Sequence, residues 1–100
     1  MEFKYTPELL EYMNKHSKKN ISVEVAVSDH SDFEITELYL RFVKDDFAHY
    51  LRDKKNYILK ETEAGYVLLP PYRLHYDDVI TFGLKKIWIF HSITQSGIKL

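Results

Sequence analysis

The chain has 100 residues, 45% of them hydrophobic, and its 14 basic and 15 acidic side chains give a formal net charge of −1. This length is typical of one domain, and the balanced charge excludes a strong overall field that would attract nucleic acid or a membrane. The absence of cysteine excludes disulfides, thiolate metal sites and cysteine nucleophiles. We expect one compact domain over residues 1–100, and a complete small protein because both termini are expected to belong to the fold. The N-terminal residues lack the basic start and apolar run of a signal peptide, so we expect the cytoplasm as its location.

The N-terminal part of the chain predicts a helix followed by a strand. Thr6, Pro7 and Glu8 have the order of an N-cap, a proline at the first helical position and an acid that the helix dipole favours, so we expect a helix over residues 7–17. Residues 20–28 then alternate between apolar side chains and small or charged ones, which indicates a half-buried strand.

Residues 33–55 allow two interpretations. Hydrophobic side chains near helical spacing would make one long helix. The alternation of apolar and polar residues over 38–42 instead indicates a strand that pairs with the preceding one, followed by a helix from about Asp45. We favour the strand followed by the helix.

Residues 57–62 and 66–69 predict a hairpin. Its loop contains Gly65, which supplies the positive φ that short loops need. Pro70 and Pro71 end the hairpin, because neither can donate a backbone hydrogen bond.

Residues 77–94 are the stretch around which we expect the core to form. They contain the only Trp, two of the six Phe and four of the eight Ile, in the alternating order that is typical of central strands. Either one bent strand or a hairpin fits residues 79–94. We expect Ile87, Ile89 and Ile93 to face the core and His91 to lie beside them, with a turn at residues 95–97 and a short edge strand at 98–100.

These patterns together predict an α+β protein. We expect an antiparallel sheet of about five or six strands, with the N-terminal helix and a second helix packed on one face. The longest apolar run is far shorter than the roughly 20 residues that span a bilayer, so no membrane partner is expected.

The loop at residues 72–78 is the candidate binding site. It follows two prolines and presents Tyr72, Arg73, His75 and Tyr76. Tyr and Arg are enriched at the residues that dominate protein interfaces, because they combine a large contact area with hydrogen bonding. We therefore predict that these four residues bind a partner.

Two alternatives combine carboxylates with histidine. In the same loop, His75 would act as a general base oriented by Asp77 or Asp78. Three residues of the turn at 29–32 offer ligands for a divalent cation, although they match no metal-loop pattern: Asp29, His30 and Asp32. No nucleophile or oxyanion-hole motif accompanies the His75 group.

The predicted function is protein binding without catalysis, as a regulator, an inhibitor or an assembly partner, by analogy one encoded on a mobile element. The three Gly residues lie singly, which excludes glycine-rich phosphate loops, and no cofactor is expected. The alternatives are a small metal-dependent or His/Asp-based enzyme and, less favoured by the balanced charge, a nucleic-acid-binding protein that stacks bases on some of its eight Tyr. A homodimer paired along a sheet edge would bury Ile98 and Leu100.

Overall fold

A computed structural model describes residues 1–30 and 33–100, and the side chains of residues 1–26 and 36–100. The α+β class is confirmed, and residues 33–55 form a strand followed by a helix, as favoured. The described elements, in chain order, are β1 (Glu2–Tyr5), α1 (Pro7–Lys15), β2 (Asn20–His30), β3 (Phe33–Val43), α2 (Asp45–Lys55), β4 (Ile58–Glu61), β5 (Tyr66–Leu69), β6 (His75–Ile87) and β7 (Phe90–Lys99).

The described strands form two mixed sheets, where the sequence predicted one antiparallel sheet. The three-stranded sheet has the order β1-β6-β7, and the four-stranded sheet has the order β3-β2-β5-β4. β1 pairs in parallel with β6, and β2 pairs in parallel with β5. Parallel partners are joined through long connections, so the local patterns that predict hairpins give no sign of these pairings. β1 itself is too short for its alternation to be recognised.

The two helices pack on opposite faces of the four-stranded sheet, and not on one face as predicted. Successive side chains of a strand point to opposite faces, and β5 makes the arrangement plain. Val67 and Leu69 belong to the hydrophobic cluster that contains Leu9 of α1 and the inner side of the three-stranded sheet. Leu68, between them, packs in a second cluster with Leu51 of α2. The four-stranded sheet is therefore the middle layer.

Two local signals of the sequence are confirmed. The hydroxyl oxygen of Thr6 caps α1 by accepting a hydrogen bond from the backbone nitrogen of Leu9 at 3.3 Å. Gly65 has φ +148° in the loop between β4 and β5, and a Cβ atom there would lie 2.0 Å from the carbonyl oxygen of Lys19. The loop can approach the start of β2 only because residue 65 has no side chain.

Asn20 ties three elements together. Its side chain is fully buried at the start of β2. The amide nitrogen donates to Oδ1 of Asp45 in α2 at 2.7 Å, and the amide oxygen accepts from the backbone nitrogen of Tyr66 in β5 at 2.9 Å. These bonds satisfy the buried amide and fix the position of α2 against the sheet.

Residues 79–94 belong to a hairpin and not to one bent strand. β6 and β7 are antiparallel, and Ile87 lies opposite Phe90 across a turn at residues 88–89. The turn predicted at residues 95–97 is wrong, because these residues lie within β7. Gly97 has φ +107°, and a Cβ atom there would lie 2.6 Å from the carbonyl oxygen of Val79 on the neighbouring strand.

The C-terminal end of β7 contributes to the core. Ile98 is only 3% exposed, so it is already buried within its own chain and has little area left for an edge contact. Ile98 and Leu100 were the residues predicted to be buried by edge pairing in a homodimer. Of the two, Leu100 remains accessible, with 54% of its surface exposed. Among the residues that the structure describes, neither helix is long and apolar enough to cross a membrane.

Candidate binding surfaces

The four residues predicted to bind a partner differ in how far they are exposed. Tyr72 is 59% exposed in the segment between β5 and β6, and Arg73 and His75 are exposed near it in sequence. Tyr76 is half-buried and packs against the core cluster around α1, and this burial raises the pKa of its hydroxyl. Tyr76 therefore packs as part of the fold.

Tyr57 and Tyr39 lie on the α2 side of the four-stranded sheet. Partial burial is the main reason why the pKa of Tyr57 is raised to about 12. The negative charge of Glu24 raises it further, and electrostatic effects of Tyr72 and Tyr39 act in the same direction. Glu24 of β2, Tyr39 of β3 and Tyr57 before β4 therefore lie on one face, and Tyr72 after β5 interacts electrostatically with Tyr57.

Arg41 is held rigidly on this face. Its Nε donates a hydrogen bond to one carboxylate oxygen of Glu24, and its second terminal nitrogen donates to the other oxygen at 3.1 Å. Its guanidinium carbon lies 4.9 Å from the centre of the Phe47 ring on α2. Bidentate pairing and ring stacking together fix the plane of the guanidinium, yet 46% of the Arg41 side chain remains exposed.

We call this surface the tyrosine face; its members are Tyr39, Arg41, Tyr57 and Tyr72, with Glu24 beneath them. Sequence reasoning found only Tyr72. Glu24, Tyr39 and Arg41 alternate with the inward-facing residues of β2 and β3, so the outward side of that alternation was the available signal. Tyr57 lies just before β4 and had no such signal.

The second exposed surface is the hairpin tip, residues 87–90. The prediction that Ile87 and Ile89 face the core is wrong, whereas Ile93 does pack against it. The turn at residues 88–89 carries the tip beyond Leu84 and Ile93, the opposed pair that packs on the core. The exposed fractions of the tip side chains are large: Ile87 52%, Trp88 88%, Ile89 78% and Phe90 70%.

The base of the hairpin tip carries positive charge. Lys85 and Lys86 precede it and are exposed, and Lys86 lies opposite His91. His91 is exposed and not a core residue as predicted; the centre of its ring lies 4.8 Å from that of Tyr12 on α1. Consecutive lysines put charge on both faces of β6, and they were the sequence signal that the buried part of the strand had ended.

The candidates for catalysis and metal binding have different outcomes. Asp29, His30 and Asp32 lie outside the residues whose side chains are described. The members of the proposed catalytic group in the 72–78 segment are all exposed: His75, Asp77 and Asp78. Within residues 1–26 and 36–100, no three His, Asp or Glu side chains are placed to hold a metal ion together.

No family model, no curated protein and no solved structure gives a significant match to the chain.

Proposed function

We propose that this protein is non-enzymatic and acts by binding another protein through the tyrosine face. The observation that supports the proposal best is the arrangement around Arg41, a partly exposed guanidinium held between Glu24 and Phe47. Tyr39, 44% exposed, and Tyr72, 59% exposed, present large amphipathic rings to solvent, and both contribute to the raised pKa of Tyr57. Tyr and Arg are the residue types enriched at the centres of protein interfaces.

The rigidity of Arg41 favours this use of the face. Ordering a free arginine side chain when a partner binds costs about 0.5–1.5 kcal/mol, and Arg41 is already ordered in the unbound protein. Glu24 is only 8% exposed, and its carboxylate balances the guanidinium charge and leaves one planar edge of Arg41 available. A partner that offers a carboxylate or a backbone carbonyl would find a donor already in position.

The proposal retains Tyr72 from the predicted loop and replaces Tyr76 with residues of β3. Tyr76 is half-buried, so its loss is expected to affect stability more than binding. Partner binding to a different protein is preferred to edge pairing between two copies, because Ile98 is already covered by its own chain.

The test compares three forms of the full chain in an affinity capture from the native cell extract: the natural protein, Tyr39→Ala with Tyr72→Ala, and Val79→Ala. Val79 is 39% exposed and points away from the core of the three-stranded sheet, so it is the control for loss of exposed surface. We expect a stoichiometric protein to be captured by the natural protein and the control, and lost with the tyrosine variant.

The affinity for the identified partner would then be measured with purified proteins. Tyr72→Ala alone should weaken it by about 2 kcal/mol, roughly thirtyfold. Circular dichroism must show that both variants keep the native fold. Equal capture by all three forms, or no stoichiometric protein in any capture, would contradict the proposal.

A further inference from the structure

The hairpin tip differs in chemistry from the tyrosine face. Residues 87–90 carry aliphatic and indole side chains and a phenyl ring, with no hydroxyl, amide or charged group among them. Trp88, at the apex, is 88% exposed, and its φ of +57° belongs to a region that side chains other than glycine rarely adopt. Such a run of exposed apolar residues indicates a surface that binds something apolar.

The charges behind the tip indicate the sign of what it binds. From Val79 to Leu100 the sequence contains Lys85, Lys86 and Lys99 but neither Asp nor Glu. Asp77 and Asp78 lie at the other end of β6, and the whole chain has a net charge of −1, so the half of the hairpin nearest the tip is a local positive region in a nearly neutral protein. An apolar tip backed by lysines is complementary to an anionic surface that has an apolar interior.

The dimensions agree with those of the surface of a bilayer. A strand rises about 3.3 Å per residue, so Lys85 and Lys86 lie roughly 3 to 7 Å behind Ile87 along β6. Apolar groups that dock on a bilayer enter by about 5–10 Å, to the boundary between headgroups and acyl chains. With the tip at that depth, the lysines would lie level with the headgroup phosphates, and Trp88 would lie in the layer that indole prefers.

We propose that the hairpin tip docks on lipid bilayers that contain anionic lipids, with residues 87–90 inserted and Lys85 and Lys86 in contact with the headgroups. A bilayer accepts a convex tip without a preformed pocket, whereas a protein partner would need a cleft of matching shape with acidic walls. Docking of this kind needs no membrane-spanning helix. It uses a different surface from the tyrosine face and does not depend on the proposed function.

Trp88 is the only Trp in the chain and reports on its own surroundings. The full-length protein would be mixed with vesicles of phosphatidylcholine alone and with vesicles of equal parts phosphatidylcholine and phosphatidylserine. We expect the Trp88 emission to shift to shorter wavelength, and to be quenched by lipids brominated near the headgroup end of the acyl chain, with the anionic vesicles. The shift should weaken as salt is added.

Three variants keep Trp88 as the reporter and test the two parts of the proposal. Ile89→Ser should abolish the shift, and Lys85→Gln with Lys86→Gln should reduce the apparent affinity about fivefold for each lysine removed. Ile58→Ser is the matched control, because Ile58 is 53% exposed on the edge strand β4 of the other sheet. The control should bind like the natural protein, and circular dichroism should be the same for all.

Two outcomes would overturn the proposal. The first is that no emission shift and no co-sedimentation occur with anionic vesicles. The second is that Ile89→Ser and Ile58→Ser bind equally well. If vesicles are not bound but Ile89→Ser loses a stoichiometric protein in the capture experiment, the tip binds protein and not lipid. The variant Tyr39→Ala with Tyr72→Ala should still bind vesicles, so failure of one proposal can be distinguished from failure of the other.

Discussion

Tyr57 links the tyrosine face to the stability of the fold. Its ring is half-buried beside Glu24, and the neutral hydroxyl is favoured because ionisation would place a second negative charge in a poorly solvated position. The pKa of Tyr57 therefore rises from 10.0 to about 12 in the folded protein. An unfolded chain releases this proton at lower pH than the folded one.

This difference predicts the pH dependence of stability in alkaline solution. Because the folded-state pKa is the higher one, the contribution of Tyr57 is fully present below about pH 10 and is lost as the pH rises towards about 12. Tyr57→Phe removes the titrating hydroxyl, so the variant should lose less stability over this range than the natural protein. Urea denaturation at a series of pH values measures the free energy of unfolding of the natural protein and of the variant.

The comparison with the variant is needed because burial also raises the pKa of Tyr5 and Tyr76. Both forms will therefore lose stability in alkali, and the informative quantity is the difference between them. A difference in the free energy of unfolding that stays constant from neutral pH to about pH 11 would show that the environment of Tyr57 does not disfavour its ionised form.

The β6–β7 hairpin divides into a buried part and an exposed part. Phe82 is fully buried at the centre of β6, whereas Trp88 and Ile89 form the turn and are largely exposed. The same alternating composition is therefore buried at one end of the hairpin and exposed at the other. The difference arises because α1 and the four-stranded sheet cover the hairpin only as far as Leu84 and Ile93.

Replacing the turn should consequently leave the fold intact. Of the two turn residues only Trp88 has a positive φ, and hairpin turns with positive φ at the first central residue favour glycine there, so Trp88→Gly with Ile89→Ser should keep or raise the melting temperature. Phe82→Ala is the control in the same strand and should cost about 3–5 kcal/mol. If the turn variant were destabilised as much as Phe82→Ala, the tip would have to be part of the core.

Elements defined by neighbouring residues could be predicted from the sequence. The cap and proline of α1, the alternation of β2 and the glycine loop between β4 and β5 depend on interactions within a few residues. The parallel partners could not be predicted in the same way: β1 and β6 are separated by most of the chain, and β1 has only four residues. Long-range pairing depends on the total burial that each arrangement achieves, which no local pattern records.

The candidate surfaces show the same division. Tyr72 was found because it follows two prolines in a polar segment, where exposure is the usual outcome. Tyr39 and Arg41 were missed because their exposure depends on how much of the sheet α2 covers. The hairpin tip was assigned to the core because large apolar residues are usually buried, and only the position of the turn at residues 88–89 shows that they are not.

The molecule as a whole offers two surfaces that differ in position and chemistry. The tyrosine face lies on the α2 side of the four-stranded sheet, and the hairpin tip belongs to the three-stranded sheet, which packs on the opposite face of the four-stranded sheet. The first has hydrogen-bonding groups that suit a protein, and the second has apolar groups backed by lysines. A protein partner and a bilayer would therefore not compete for the same side chains.

The packing of β5 predicts that the layers carrying the two surfaces form one cooperative unit and unfold together. Leu68 packs against α2, and its neighbours Val67 and Leu69 pack against the α1 side. Each layer therefore loses its support when this short strand separates from the sheet. We expect a single cooperative transition in which neither helix melts alone.

Leu68→Ala and Leu9→Ala test this expectation from opposite faces of the sheet. Both residues are fully buried, so each substitution should cost about 2–5 kcal/mol, whereas Leu100→Ala, at a side chain that is 54% exposed, should cost under about 0.5 kcal/mol. Urea transitions would be followed by far-ultraviolet circular dichroism for the helices and by the near-ultraviolet signal of the tyrosines. The two signals should change together in both core variants. If Leu68→Ala caused an early loss of helical signal while the near-ultraviolet signal persisted, α2 would be an independent unit. The tyrosine face depends on Phe47 of α2, so it would then be lost before the hairpin tip.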